Sequence, residues 1–359
     1  MKNNCQGNQS NLCKISRRTT LVGLAGIVTS AALGPVAATA QLGGDPIDVH
    51  HHYFPPIAKK LYGPFPPLQT YTVAKSLDAM NEAGVASAFV SLPAQLDDDI
   101  SAAAASAFAR EANDYGKQME SEHPARFSLF GFLPLPYIDA SLNEIEYLFD
   151  TLQVAGISVL TNYGNDWIGE PKFHAVLEEL NHRHAIVYVH PTDAPCCVDL
   201  LPNTIPHTVE WNTQTSRAIW SVINDGTDRP PVTEPGASVA TRYPNIRWIW
   251  SHAGGTLLGL IGRFLGQGST QNVRPDDLAT ARRNSKLYHL RRFYYDTALS
   301  ANPIQMQALK SLVGVEKIVF GSDFPFLALH DTVESLAECG FSDTEMAAVN
   351  RGNVLTLFQ

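Results

Sequence analysis

The chain has 359 residues, 45% of them hydrophobic and only 17% charged, with a formal net charge of -9. That is enough apolar material for one large core or two ordinary ones. Without the first forty residues the balance is 22 basic against 35 acidic side chains, which argues against a nucleic-acid partner, because phosphate binding needs clustered Lys and Arg.

Residues 1–40 read as a targeting segment. They hold no acid and four basic residues, Lys2, Lys14, Arg17 and Arg18. Ser16-Arg17-Arg18 precedes an apolar stretch from Leu21 to Ala38, and Ala38-Thr39-Ala40 is a small-residue cleavage site. The paired arginines point to the bacterial-type twin-arginine export route, with Thr20 where that signal usually has Phe. The expectation is a cleaved leader over 1–40 and a mature domain over 41–359, periplasmic or secreted, with no membrane span left after cleavage. An uncleaved anchor is the alternative; the Ala, Gly and Thr content and Pro35 count against it. Of the five cysteines, Cys5 and Cys13 fall in the leader, and Cys196, Cys197 and Cys339 make no disulfide framework.

From residue 46 onward, eight apolar runs predict strands over 46–53, 85–93, 127–135, 156–162, 185–192, 246–254, 293–298 and 317–325. Most are continuous Val, Ile, Phe and Leu runs, the pattern of strands buried on both faces. Helices are predicted between them over 98–120, 141–152, 171–182, 304–312, 331–339 and 342–357. Ser141 and Glu144 have capping-box spacing, and Pro171 suits a first helical turn. Eight strand–helix repeats over ~310 residues fit an α/β fold of the closed (β/α)8 TIM-barrel type. An open doubly wound sheet would show a Gly-rich phosphate loop after an early strand, and none is present. Two connections are long: 193–245, punctuated by seven prolines, and 255–292, with a basic cluster at Arg282, Arg283, Arg291 and Arg292. They predict extended loops after strands 5 and 6, above the rim where the strands end.

Several strands end in chemistry-bearing residues. The first ends Asp48-Val49-His50-His51-His52, the fifth at His190, the sixth at His252 and the eighth at Asp323. Alternation along a strand puts His50 and His52 on one face and turns His51 away. A barrel rim gathering His50, His52, His190 and Asp323 is a candidate divalent-metal site, since imidazole and carboxylate are common ligands of such ions. Taken singly, His190 would pass for a core or loop residue and Asp323 for a turn residue or N-cap. His252 precedes Ala253-Gly254-Gly255, whose glycines would let a ligand approach the backbone. It reads as an acid/base group, with a fourth nitrogen ligand to a second ion as the alternative. Tyr53, Phe54, Phe324 and Phe326 lie close to these ligands and are candidates for stacking on a substrate, or for rim packing. His207 and His289 fall in the long connections.

The segments IDVHHHYFPP, VYVHPT, WSHAGG with GRF at 262–264, and VFGSDFPF resemble the amidohydrolase superfamily. Within it they resemble the metal-dependent nonoxidative decarboxylases, the branch of the aminocarboxymuconate semialdehyde and 6-methylsalicylate enzymes. The resemblance implies one divalent ion, zinc ahead of manganese, held by His50, His52, His190 and Asp323, with His252 beside it. The bridging Lys of the bimetal hydrolases is missing, since the fourth strand ends Leu160-Thr161-Asn162. Val273-Arg274-Pro275-Asp276 looks like a segment that offers an arginine to the substrate carboxylate across a dimer interface, so the resemblance also implies a homodimer and a substrate contact at Arg274.

Two activities follow as expectations. The first is decarboxylation of a small aromatic, salicylate-type, or enoic carboxylic acid, with His252 or Asp323 handling the proton and Tyr53, Phe326 and Arg274 touching the substrate. The second is hydrolysis of a lactone or amide at the same site. A scaffold protein with a decayed site is the nonenzymatic alternative, against which the complete ligand set stands.

Overall fold

A computed structural model describes residues 44–61, 66–97, 99–198, 200–226, 237–266 and 285–359. The leader read over 1–40 and Arg274 therefore lie outside the described residues. Eight parallel strands form one sheet in chain order. They are β1 Ile47–His52, β2 Ser87–Ser91, β3 Phe127–Phe132, β4 Gly156–Leu160, β5 Ile186–His190, β6 Arg247–Trp250, β7 Tyr294–Asp296 and β8 Ile318–Val319. Hydrogen bonds between β1 and the chain leaving β8 close the sheet. The Val49 amide donates to the Phe320 carbonyl (3.0 Å), Asp323 to His50 (2.8 Å) and His52 to Phe324 (2.8 Å). The fold is thus the expected (β/α)8 barrel.

Two apolar clusters hold it. The larger lies between the strands and the surrounding helices. The smaller fills the barrel, with Val49, Phe89, Phe130, Tyr188, Ile249 and Val319 pointing inward. Val354 and Leu357 of the last helix join this inner cluster, and the Phe358 ring stacks on Phe89 at 4.3 Å. That end of the barrel is plugged, so the open end is the one where His190 and Asp323 emerge. Each such side chain contributes roughly 1.5–3 kcal/mol by leaving water.

The helices lie where the sequence places them, with two corrections. The capping box expected at Ser141 and Glu144 does not form, because α3 begins at Ile138 and runs to Glu146. Glu144 is buried within it and accepts hydrogen bonds from Arg110 of α2 (Ala102–Glu122) and from Asn113. A buried carboxylate goes to the cation within reach rather than to a helix end. Among the described residues a capping box forms at Ser342 and Glu345. The two long connections are not plain loops either. Pro206 opens an 18-residue helix, α5 (Pro206–Ile223), where its missing N–H and fixed φ suit the first helical position. The second connection carries α6 (Leu257–Leu265) and α7 (Lys286–Arg292). Among the described residues no helix is long and apolar enough to cross a membrane. Cys196 and Cys197 pair with each other, which ties no distant elements together, and Cys339 is free.

Candidate metal centre and active site

The end of β1 departs from simple alternation. Its register against β2 shifts between Asp48 and His51, so Val49 and His50 both face the barrel interior. The bulge sends Asp48 the other way. There it accepts from the Ser322 amide (3.0 Å) and hydroxyl (2.5 Å) and meets His51 Nδ1 at 3.1 Å. His51 continues to Ser76 Oγ at 2.7 Å and stacks on Phe324. This pair lies behind the ligand strand and locks it to the turn that carries Asp323. His51 therefore points away from the site, as read from the sequence, and Asp48 joins it there.

His50, His52, His190 and Asp323 converge at the open end of the barrel, their ligand atoms all within 4.8 Å of one another. His50 Nε2 lies 3.1 Å from His52 Nε2 and 3.2 Å from Asp323 Oδ1, and His52 Nε2 is 3.0 Å from the same oxygen. Each imidazole has its other nitrogen on an oxygen acceptor: His50 Nδ1 on Asp296 (2.8 Å), His52 Nδ1 on the Ser91 carbonyl (3.3 Å) and His190 Nδ1 on the Pro191 carbonyl (2.7 Å). Carbonyls and carboxylates only accept, so the Nδ1 atoms carry the protons and Nε2 lone pairs face one another. Facing lone pairs repel unless a cation lies between them. Donors bound at about 2.0–2.2 Å around one tetrahedral ion sit roughly 3.4 Å apart, close to the spacing observed. The donor set fits a divalent ion.

Titration points the same way. Burial works against a charged His50, but the Asp296 and Asp323 carboxylates outweigh it and raise its pKa to about 10. Burial lowers His52, and burial with the neighbouring imidazoles holds His190 far below the usual histidine range. Burial opposes ionisation of Asp323, yet the adjacent His50 and His52 keep it well below the usual carboxylate range.

His252 stands beside this set, its ring 4.9 Å from that of His50. Its φ is +53°, in the left-handed region, and the tight 252–255 turn holds it. The glycines after it serve packing rather than ligand access. A Cβ on Gly255 would lie 2.0 Å from the Asn212 carbonyl oxygen of α5. His252 Nδ1 is fixed by the Ala298 carbonyl at 3.0 Å, which leaves Nε2 for chemistry. His252 and Asp296 also group with His50 as possible ligands. The Asp296 oxygens are already engaged, Oδ2 by His50 and Oδ1 by the His252 amide (2.8 Å) and the Ala298 amide (3.1 Å). Asp296 is thus a support for both histidines. Sequence reasoning missed it, although it ends the seventh strand in the same way that His190 and Asp323 end theirs.

A cavity of about 580 Å³ opens over His190, His252 and Asp323. Phe54, Trp211 and Phe326 form apolar parts of its wall, and His207 lies at it too. Tyr53 does not reach it, contrary to expectation. Its ring is fully buried, stacked on Tyr115, and its hydroxyl donates to the Ala112 carbonyl of α2. The chain alternates at that point, so Tyr53 turns outward while Phe54 turns in. His289 is buried away from the cavity against Thr241. At the end of β4, Thr161 Oγ1 accepts from the Thr192 amide at 3.3 Å.

The chain matches the amidohydrolase family over residues 47–359. It belongs to that family. This amidohydrolase is 33% identical over 305 residues to the decarboxylase yanB of Aspergillus niger, across 79% of this chain and 77% of that one. It is 29% identical over 304 residues to 6-methylsalicylic acid decarboxylase of Penicillium expansum, across 80% and 86%. Its fold is shared with a dihydroxybenzoic acid decarboxylase from Polaromonas, solved with bound manganese and 2-nitroresorcinol. The TM-score is 0.70 at 17% identity, over 88% of this chain and 97% of that one.

Proposed function

We propose that this amidohydrolase is a metal-dependent nonoxidative decarboxylase of a small aromatic acid with a hydroxyl beside the carboxylate. The observation that carries the reading is the convergence of His50, His52, His190 and Asp323, lone pairs inward, at a cavity with aromatic walls. The decarboxylases among its relatives support the choice of reaction. Those four residues would hold one divalent ion. Zinc suits three imidazoles and a carboxylate, and the manganese in the Polaromonas enzyme keeps that ion as the second candidate. When bound, the ion supplies Lewis acidity toward the carboxylate and the neighbouring hydroxyl.

The chain's own residues do the rest. Phe54 and Phe326 give the ring an apolar, aromatic bed. His252, held through Nδ1, presents Nε2 and in its protonated form gives a proton to the ring carbon that bears the carboxylate. The C–C bond then breaks, its electron pair returns to the ring, and carbon dioxide leaves. Asp323, at the same edge of the cavity, is the second group that could carry that proton. The reading retains a homodimer with Arg274 at the substrate, and export through the leader over 1–40; an intact mass for a chain beginning near Gln41 is the result expected of an exported protein.

Incubation of metal-loaded protein with 2-hydroxybenzoates in deuterium oxide should release carbon dioxide and place one deuterium at the vacated carbon. No carbon dioxide from any 2-hydroxybenzoate, together with solvent oxygen-18 entering the product carboxylate of a lactone or amide, would show hydrolysis and overturn the reading.

A further inference from the structure

The charged groups lining the described part of the cavity are unbalanced. Two carboxylates, Asp193 and Asp323, face it, and no Lys or Arg does among the described residues. Asp323 belongs to the ligand set. Asp193 does not, and it is held in place. The indole N–H of Trp211 donates to Asp193 Oδ1 at 2.6 Å, and the Asn162 carboxamide donates to its main-chain carbonyl at 3.0 Å. Trp211 is itself a wall of the cavity, its ring 6.0 Å from that of His190. Oδ2 of Asp193 has no hydrogen-bond partner among the described residues.

Next to it, Thr192 Oγ1 donates to Gln95 Oε1 at 2.6 Å, and both residues line the same cavity. That bond takes the oxygen of the Gln95 carboxamide and leaves its NH2 group as the available end. The wall beyond the ligand set therefore offers a fixed carboxylate and a neutral amide donor. A hydroxyl or other neutral polar group can be satisfied there. A second carboxylate on the side of the ring away from His252 would face Asp193 with no Lys or Arg of the described wall to offset it.

Building on the decarboxylase reading, we infer that Asp193 is a specificity-determining residue that restricts the site to monocarboxylates. One carboxylate is taken by the ion, and a second on the far side of the ring is rejected by charge rather than by size.

The test separates charge from size. Binding to metal-loaded protein is measured by calorimetry for 2-hydroxybenzoate and for its derivatives carrying either a nitro group or a second carboxylate at ring position 4 or 5. Nitro and carboxylate substituents are planar and of nearly equal size, but only one is charged. For the wild-type protein, the nitro compounds should bind within about threefold of the parent and the dicarboxylates at least tenfold more weakly. In Asp193→Asn the gap between nitro and carboxylate should close by about tenfold. Equal rejection of nitro and carboxylate compounds, or an unchanged gap in Asp193→Asn, overturns the inference alone. If no 2-hydroxybenzoate binds the loaded wild-type protein, the decarboxylase reading fails and takes this inference with it. Should Asp193→Asn not fold, the wild-type comparison of nitro with carboxylate still decides.

Discussion

His190 ends β5, His252 lies two residues past β6, and both border the cavity, yet their hydrogen bonds set them apart. His190 has Nδ1 on the Pro191 carbonyl and stands within the four-residue ligand set. His252 is anchored from the neighbouring strand, through the Ala298 carbonyl, and lies outside that set. Removing a ligand should therefore empty the site, whereas removing His252 should remove a proton carrier. We expect His190→Ala to lose bound metal together with activity. We expect His252→Ala to keep nearly full metal while losing on the order of 10²–10⁴-fold in rate, the usual range for a positioned acid or base. Elemental analysis of the purified variants reads this directly. Equal loss of metal from the two would make His252 a ligand.

The strand ends act in concert, and Asp296 at the end of β7 links two of them. One carboxylate oxygen fixes the His50 ring on β1, and the other holds the main chain of His252 just after β6. In Asp296→Asn the shape is kept and the charge is lost. The expected result is a metal affinity lowered about 10–100-fold, as for other partners that orient a ligand histidine, with the barrel intact. Competition with a chelating dye measures it; an unchanged affinity would remove Asp296 from the site. This residue also marks where reading the sequence ran out. Buried parallel strands announce themselves by continuous apolar runs, so all eight are legible, and so is the cluster of His50, His52, His190 and Asp323, polar residues at the ends of those runs. Asp296 was passed over because a lone Asp ending a strand is common and its partners, His50 and the His252 amide, are distant in sequence. Tyr53 is different: the alternation that turns His51 away turns Tyr53 away as well, so nearness in sequence to His52 does not bring it to the cavity. The direction of Asp48 depends on a bulge that leaves no mark in the residue pattern. The prolines of 193–245 suggest loop, yet the residue type that breaks a helix interior can open a helix, as Pro206 does.

At the scale of the molecule, the ligand set ties together β1, β5 and the turn after β8, three segments of the ring far apart in sequence. Without an ion, that junction rests on His50 and its two carboxylates. The His50 pKa is raised from 6.5 to about 10 on folding. Its contribution to stability is therefore full below pH 6.5 and is lost as pH rises through about 10. Asp323 is shifted the opposite way, so its contribution is present above pH 3.8 and is lost as pH falls through its lowered value. The ion-free protein should accordingly lose stability toward strongly alkaline pH. A divalent ion must displace the His50 proton, so its binding near neutral pH should release about one proton and tighten as pH rises. Bound ion at 100 times its dissociation constant should add about 2.7 kcal/mol of stability, reversed by a chelator. Calorimetric titration in buffers of different ionisation enthalpy counts the proton, and thermal melts with and without chelator read the stabilisation. Binding with no proton released would mean that the ion does not take the place of the His50 proton and lies elsewhere in the barrel mouth.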